Sequence, residues 1–200
     1  MRDRYILVCN PQRTGSTLVY NFFRECTEGF IVKKYEISPM NFVEGVDFAP
    51  VLFRHPAAVM GSLFDFLRLD PDDINFNNIF NKIEREFEWA SNLLKEFPKS
   101  AYELRYENFY ENTDYLVKWT KDKLSYNCNP LLVKEFCKNY SISKVKDIVK
   151  DNRNPEENLF QPNHISCVNG NDDKRILNLR LNDYNRIKLS TLCKRYGYNF

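Results

Sequence analysis

The six cysteines (Cys9, Cys26, Cys128, Cys137, Cys167, Cys193) include no C-x-x-C pair. That absence excludes the usual spacing of a zinc site and of a compact disulfide framework. No apolar run approaches the ~20 residues that span a bilayer, and no signal-peptide pattern precedes the first apolar run. The expectation is a cytoplasmic protein with no membrane partner. Neither sign of charge dominates: 29 Lys and Arg stand against 27 Asp and Glu, a formal net charge of +2. A nucleic-acid polymer or an acidic membrane surface therefore gains no support from charge. Internal repeats, linker-like composition and His/Asp/Glu clusters at metal-ligand spacing are also missing, and residues 1–200 read as one domain.

What is present suits a packed core: 43% of the residues are hydrophobic and 15% aromatic. Charge is unevenly placed. Residues 68–115 carry 6 basic against 11 acidic side chains, and residues 174–200 carry 7 against 1. A basic C-terminal segment suits a polyanionic ligand and equally a solvated helix face.

Tyr5–Cys9 is a continuous apolar run, the pattern of a central parallel strand buried on both faces. Leu18, Val19, Phe22 and Phe23 then recur at helical spacing, with Thr14 or Ser16 available as N-cap. Further strands are expected at Phe30–Lys33, Val51–Phe53 and Ala101–Tyr106. Helices are expected over Ala57–Leu67, over Asp114–Leu124 and Pro130–Asn139, and over Asp183–Tyr196, where Tyr184, Ile187 and Cys193 give an apolar side. Phe76, Ile79, Phe80, Ile83, Phe87, Ala90, Leu94 and Phe97 form one stripe of a long amphipathic helix and read as core. Cys9 and Cys193 read as buried reduced thiols. Residues 151–174 are polar and aperiodic, a long loop that suits a functional lid or a mobile segment. Strands alternating with helices predict a three-layer α/β domain, a mainly parallel sheet flanked by helices in the manner of P-loop proteins.

Between the first strand and the first helix lies Pro11-Gln12-Arg13-Thr14-Gly15-Ser16-Thr17. A helix N-terminus offers unpaired N–H groups and the positive end of a dipole, which together bind anions. Gly15 permits close approach, Thr14, Ser16 and Thr17 add hydroxyls, and Arg13 adds a fixed charge with a donor fork. A nucleotide phosphotransferase would need G-x-x-x-x-G-K-[ST] here. The chain lacks both the first glycine and the lysine.

The loop resembles the 5′-phosphosulfate-binding loop of PAPS-dependent sulfotransferases, in the P-R-[ST]-G-[ST]-T form of the carbohydrate, tyrosyl-protein and bacterial branches; Gln12 is one residue extra. Arg54-His55-Pro56, with Ser62 eight positions after Arg54, is similar to the family's 3′-phosphate segment. His55 stands where the family usually has aspartate and is given no chemical role. Tyr106-Glu107-Asn108-Phe109 resembles the family's Y-E-[DN]-[LF] piece, which places Tyr106 near the adenine. No R-K-G signature follows; Lys174 or Arg175 substitutes for it as a nucleotide contact.

The resemblance implies transfer of a sulfuryl group from PAPS to an acceptor hydroxyl of a glycan or small glycoside, with PAP as product and no metal. Arg13 and the loop N–H groups would stabilise charge on the departing phosphate. Glu36, 23 residues beyond Arg13, is the candidate base, and His164 the alternative if residues 151–174 fold over the site. A nucleotide-dependent phosphotransferase and a nucleotide-binding module without turnover are the competing readings. Oligomeric state is left open.

Overall fold

The computed structural model describes residues 3–36, 46–70, 72–141, 144, 179 and 181–200. The expected first strand is β1 (Arg4–Asn10), followed by α1 (Ser16–Cys26), β2 (Phe30–Glu36), β3 (Ala49–Phe53), α2 (Pro56–Leu67) and α3 (Asp73–Glu96). Then come β4 (Ala101–Arg105), the single turn α4 (Tyr106–Phe109), α5 (Thr113–Leu124), α6 (Pro130–Asn139) and α7 (Asp183–Arg195). The described strands form one parallel sheet in the order β2-β1-β3-β4.

Alternation along β1 divides the core in two. Ile6 and Val8 pack with Phe22 and Phe23 of α1, Trp119 of α5 and Phe136 of α6. Leu7 and Cys9 pack on the other face with Met60 of α2, Phe80 of α3 and Leu189 of α7. A strand covered on both faces has no solvent side to mark with polar residues, which is why β1 reads as unbroken apolar sequence. The α/β architecture expected from the sequence is the one observed.

Local differences have local causes. Pro50 lies inside β3, whereas the sequence placed the strand's start after it. The Ala49 N–H donates to Ser100 O of the β4 side at 2.7 Å. Alternation then turns Pro50 toward β1, where pairing is limited to Cys9 with Val51 and a bridge between Ile6 and Phe48, so the missing donor falls in a gap of the ladder. Tyr106 leaves the strand and opens α4.

The α7 stripe differs more. Tyr184 and Ile187 are 71% and 67% exposed, and the helix buries Asn185, Leu189, Leu192 and Cys193. Asn185 is the reason: its side chain donates to Asp73 Oδ1 at 2.8 Å, anchoring α7 to the start of α3 through a polar group. Apolar periodicity counted from Tyr184 therefore points to the wrong face. In α3 the stripe holds through Ala90, after which Leu93 is buried and Leu94 and Phe97 only border the core.

No helix among the described residues is long and apolar enough to cross a membrane. The buried cysteines behave as apolar core. Burial pushes the thiols of Cys9 and Cys26 up from 9.0 to about 12 and that of Cys193 to about 11. Since these folded values lie above the unfolded one, their contribution to stability is complete below pH 9 and is lost as the pH rises through the folded values. Thermal melts should therefore show stability falling progressively above pH 9. At pH 8, iodoacetamide should alkylate the exposed Cys137 in the native protein, and Cys9, Cys26 and Cys193 only after denaturation. Rapid native labelling of Cys9, read by peptide mass spectrometry, would contradict this packing.

Candidate functional site

β1 runs on to β2 at one side of the sheet, and β3 runs on to β4 at the other. The neighbours β1 and β3 thus form a topological switch point, where the connections diverge and open a crevice outside the carboxyl ends of the strands. The 11–15 loop leaves β1 at that point, and Arg54-His55 leaves β3 beside it.

Two residues of the loop take left-handed backbone conformations, Arg13 at φ 63° and Gly15 at φ 83°. The Thr14 hydroxyl donates back to Pro11 O at 2.7 Å, so it does not cap α1. Gly15 is the N-cap and has no side chain to bond the first turn, contrary to the expectation of Thr14 or Ser16. Gly15 O accepts from the N–H groups of Leu18 (3.1 Å) and Val19 (3.3 Å). Among the described residues, the N–H groups of Gly15, Ser16 and Thr17 meet no acceptor. They form the uncapped positive end of an eleven-residue helix.

Arg13, Arg54 and Ser62 come together. Arg54 Nη1 donates to Arg13 O at 2.9 Å, and Arg13 Nε donates to Ser62 Oγ at 2.9 Å. The Arg13 guanidinium also lies 4.9 Å from the centre of the Phe66 ring. Arg54 and Ser62 are 4% and 1% exposed, and Arg13 is half-buried. The Arg54 guanidinium stacks 4.1 Å over the Tyr106 ring. Tyr106 in turn crowds the loop: a Cβ on Gly15 would fall 2.7 Å from Tyr106 Cδ2 and 3.2 Å from Phe109 Cε2. Glycine is thus required here twice, by φ and by the ring above it.

β2 supplies the neighbouring wall. Lys34 Nζ donates to Thr17 Oγ1 at 3.1 Å, adding a cation at the first turn of α1. Glu36 ends β2 in register with Asn10, the residue before the loop, at the carboxyl edge of the sheet. Asn10 is 3% exposed; its Nδ2 donates to Pro11 O at 3.2 Å, and its Oδ1 has no partner among the described residues. His164, Lys174, Arg175 and the 151–174 loop lie outside the described residues.

Several contacts carry no sequence motif. The Gln12 N–H donates to Glu86 Oε2 at 2.8 Å, and Lys82 Nζ donates to Gln12 Oε1 at 2.8 Å. The residue that is extra relative to the family pattern is therefore braced by two α3 side chains one turn apart. Their i, i+4 spacing is visible in the sequence, but which helix face meets the loop is decided by docking. His55, given no role above, caps α2: its Nδ1 accepts from Ala57 N at 3.2 Å, and its Nε2 lies 2.6 Å from Asn199 O. A neutral ring protonated at Nε2 satisfies both bonds. Among the described residues no group of three or more His, Cys, Asp and Glu is placed to hold a metal ion.

Comparison of the chain with family models, with curated proteins and with solved structures finds no match.

Gly15→Ala should destabilise the protein by about 1–3 kcal/mol, the usual size of local backbone strain, in urea unfolding. The cost of Gly15→Ala should shrink when it is measured in a Tyr106→Ala background, which removes the ring the new methyl would strike. An unaltered midpoint for Gly15→Ala would refute the crowding of the loop by Tyr106.

Proposed function

We propose that the chain is a sulfotransferase that moves a sulfuryl group from PAPS to an acceptor hydroxyl, of a glycan or small glycoside. The observation that carries this reading is the uncapped start of α1, whose three N–H groups meet no acceptor among the described residues, beside an arginine held in a left-handed turn. Such a cradle fits a sulfonate–phosphate anion. Its position at the switch point of a doubly wound sheet supports a nucleotide. The residues that would hold the donor are Arg13, Thr14, Gly15, Ser16 and Thr17 at the phosphosulfate, with Arg54 and Ser62 for the 3′-phosphate. Tyr106 would lie at the base, and Lys174 and Arg175 remain proposed nucleotide contacts.

In the proposed reaction the acceptor oxygen bonds to sulfur as the bond from sulfur to the 5′-phosphate oxygen breaks. The electron pair of that bond goes to the phosphate of PAP. Arg13 and the α1 N–H groups stabilise the charge gathering there. Glu36 takes the proton of the acceptor hydroxyl, a role its place at the edge of the sheet beside the loop supports. Lys34 at Thr17 supplies positive charge from the neighbouring strand, in a loop without the lysine of a phosphotransferase.

Incubating the protein with sulfur-labelled PAPS and a panel of glycans and glycosides tests this. Label should pass to a hydroxyl-bearing acceptor. Arg13→Ala should reduce turnover at least ~100-fold, the order found when a donor to developing negative charge is removed. Glu36→Gln should abolish turnover while leaving PAP affinity within about twofold, as expected of a base that acts only in the chemical step. Binding of PAPS without transfer to any acceptor would mark a nucleotide-binding module, and turnover of ATP with magnesium a phosphotransferase.

A further inference from the structure

We infer that residues 196–200 form a strap that positions Arg54 and Tyr106 for the nucleotide, with Tyr198 as its central positioning residue. The inference rests on the PAPS reading and goes beyond it, since the strap supplies none of the donor contacts proposed above.

The strap begins where α7 ends. Gly197 takes φ 76°, its N–H donates to Lys194 O at 3.1 Å, and the Tyr198 N–H donates to Cys193 O at 2.9 Å. These are the paired bonds of a Schellman stop, which turns the chain away from the helix axis. The turn carries the strap across the exits of β3 and β4, where the Tyr196 ring lies 6.0 Å from Phe53 and 5.1 Å from Phe87.

Both exits are gripped. At β4, Arg105 Nη2 donates to Tyr196 O at 3.1 Å, and the guanidinium lies 4.7 Å from the centre of the Tyr198 ring. At β3, His55 Nε2 lies 2.6 Å from Asn199 O, and the His55 ring is 5.1 Å from that of Tyr198. Glu107 closes the circuit: its Oε1 accepts from the His55 N–H at 2.7 Å and its Oε2 from the Tyr198 hydroxyl at 3.3 Å. Burial first, and then the Glu107 carboxylate, push the Tyr198 phenol above its ordinary range, so the hydroxyl keeps the proton it donates. Tyr198 is 8% exposed and meets His55, Arg105 and Glu107 together.

The gripped residues are chain neighbours of the two that would meet the donor. His55 follows Arg54, while Arg105 and Glu107 flank Tyr106. The β3–β4 ladder ends at Phe53 and Arg105, so beyond it the spacing of Arg54 and Tyr106 depends on what ties the two exits together. Arg54 stacks 4.1 Å over Tyr106, the first assigned to the 3′-phosphate and the second to the base. A ligand that engages both gains from a spacing fixed in advance.

The experiment is calorimetric titration of adenosine 3′,5′-bisphosphate and of 5′-AMP into the wild-type protein and three variants, none of which alters a proposed donor contact. The wild type should prefer the bisphosphate, the ligand that engages Arg54 and Tyr106 together. In Tyr198→Ala that preference should shrink about tenfold, within the range for residues of one contact network. Tyr198→Phe keeps the ring between Arg105 and His55 and should lose less. His55→Asn should shrink the preference as well, because asparagine still suits the cap of α2 but is too short to reach the strap. Each ratio is taken on one preparation, with the fitted stoichiometry reporting the folded fraction, so lost stability alone leaves the ratio in place. If Tyr198→Ala yields no folded protein, His55→Asn decides. A wild type that binds both ligands equally well would remove the PAPS reading and this inference with it. A preference that survives either substitution unchanged would overturn the strap alone and leave the PAPS reading standing.

Discussion

Arg13 is held at φ 63° with its carbonyl bonded to Arg54 and its side chain bonded to Ser62. A residue with a Cβ pays about 1–3 kcal/mol for a sparsely populated backbone region, so the turn survives only while these contacts do. The rest of the site is built outward from that strained residue. Gly15 continues the turn at φ 83° and starts α1 without a side-chain cap. Tyr106 fills the space a Cβ would take at Gly15, and Arg54 stacks on the same ring while it holds Arg13. Gln12, just before the turn, is fixed by Lys82 and Glu86. A loop secured at three points keeps its N–H groups aimed without help from a ligand, which is the preorganisation that electrostatic binding rewards.

The sheet makes this convergence unavoidable. With order β2-β1-β3-β4, β1 and β3 are neighbours although α1 and β2 intervene in the chain. Arg13 and Arg54 follow the ends of those adjacent strands, so residues 41 positions apart meet within a hydrogen bond. Ser62 joins them because α2 starts directly after Arg54 and runs back over the sheet face that Leu7 and Cys9 line. His55 sets the direction of that helix, capping its first turn and touching Asn199 near the end of α7. Packing far from the loop, between α7 and α2, thereby helps to aim the serine that holds Arg13.

The fold was legible because its signals are local. An unbroken apolar strand, a glycine-bearing turn and 3.6-residue stripes each report burial within a few residues. Legibility ended where a polar side chain did structural work. Asn185 anchors α7 from inside the buried face, and periodicity placed Tyr184 and Ile187 there instead. Pro50 sits within a strand because the ladder toward β1 has a gap at that point, which only the paired sheet reveals. Within the site, Arg13, Gly15, Arg54, Ser62 and Tyr106 were each identifiable by motif, and the structure brings them together. Their mutual bonds were not identifiable, since motif spacing says which residues share a ligand class and not which touch each other. Lys82, Glu86 and Lys34 come from elements whose role depends on docking.

The distribution of charge around the loop bears on which anion suits it. Phosphotransferase loops meet a triphosphate with a lysine and a magnesium ion, because several negative charges must be neutralised together. In the proposed reaction the transferred sulfonate carries a single charge, and in-line transfer concentrates new charge on one departing phosphate. One arginine, the N–H groups of a helix start and a lysine at Thr17 form a weaker, more dispersed field than lysine with a divalent cation. Glu86 braces the loop by accepting from the Gln12 N–H, and Lys82, one turn away on α3, bonds the Gln12 side chain, so the brace brings one charge of each sign to the loop's edge.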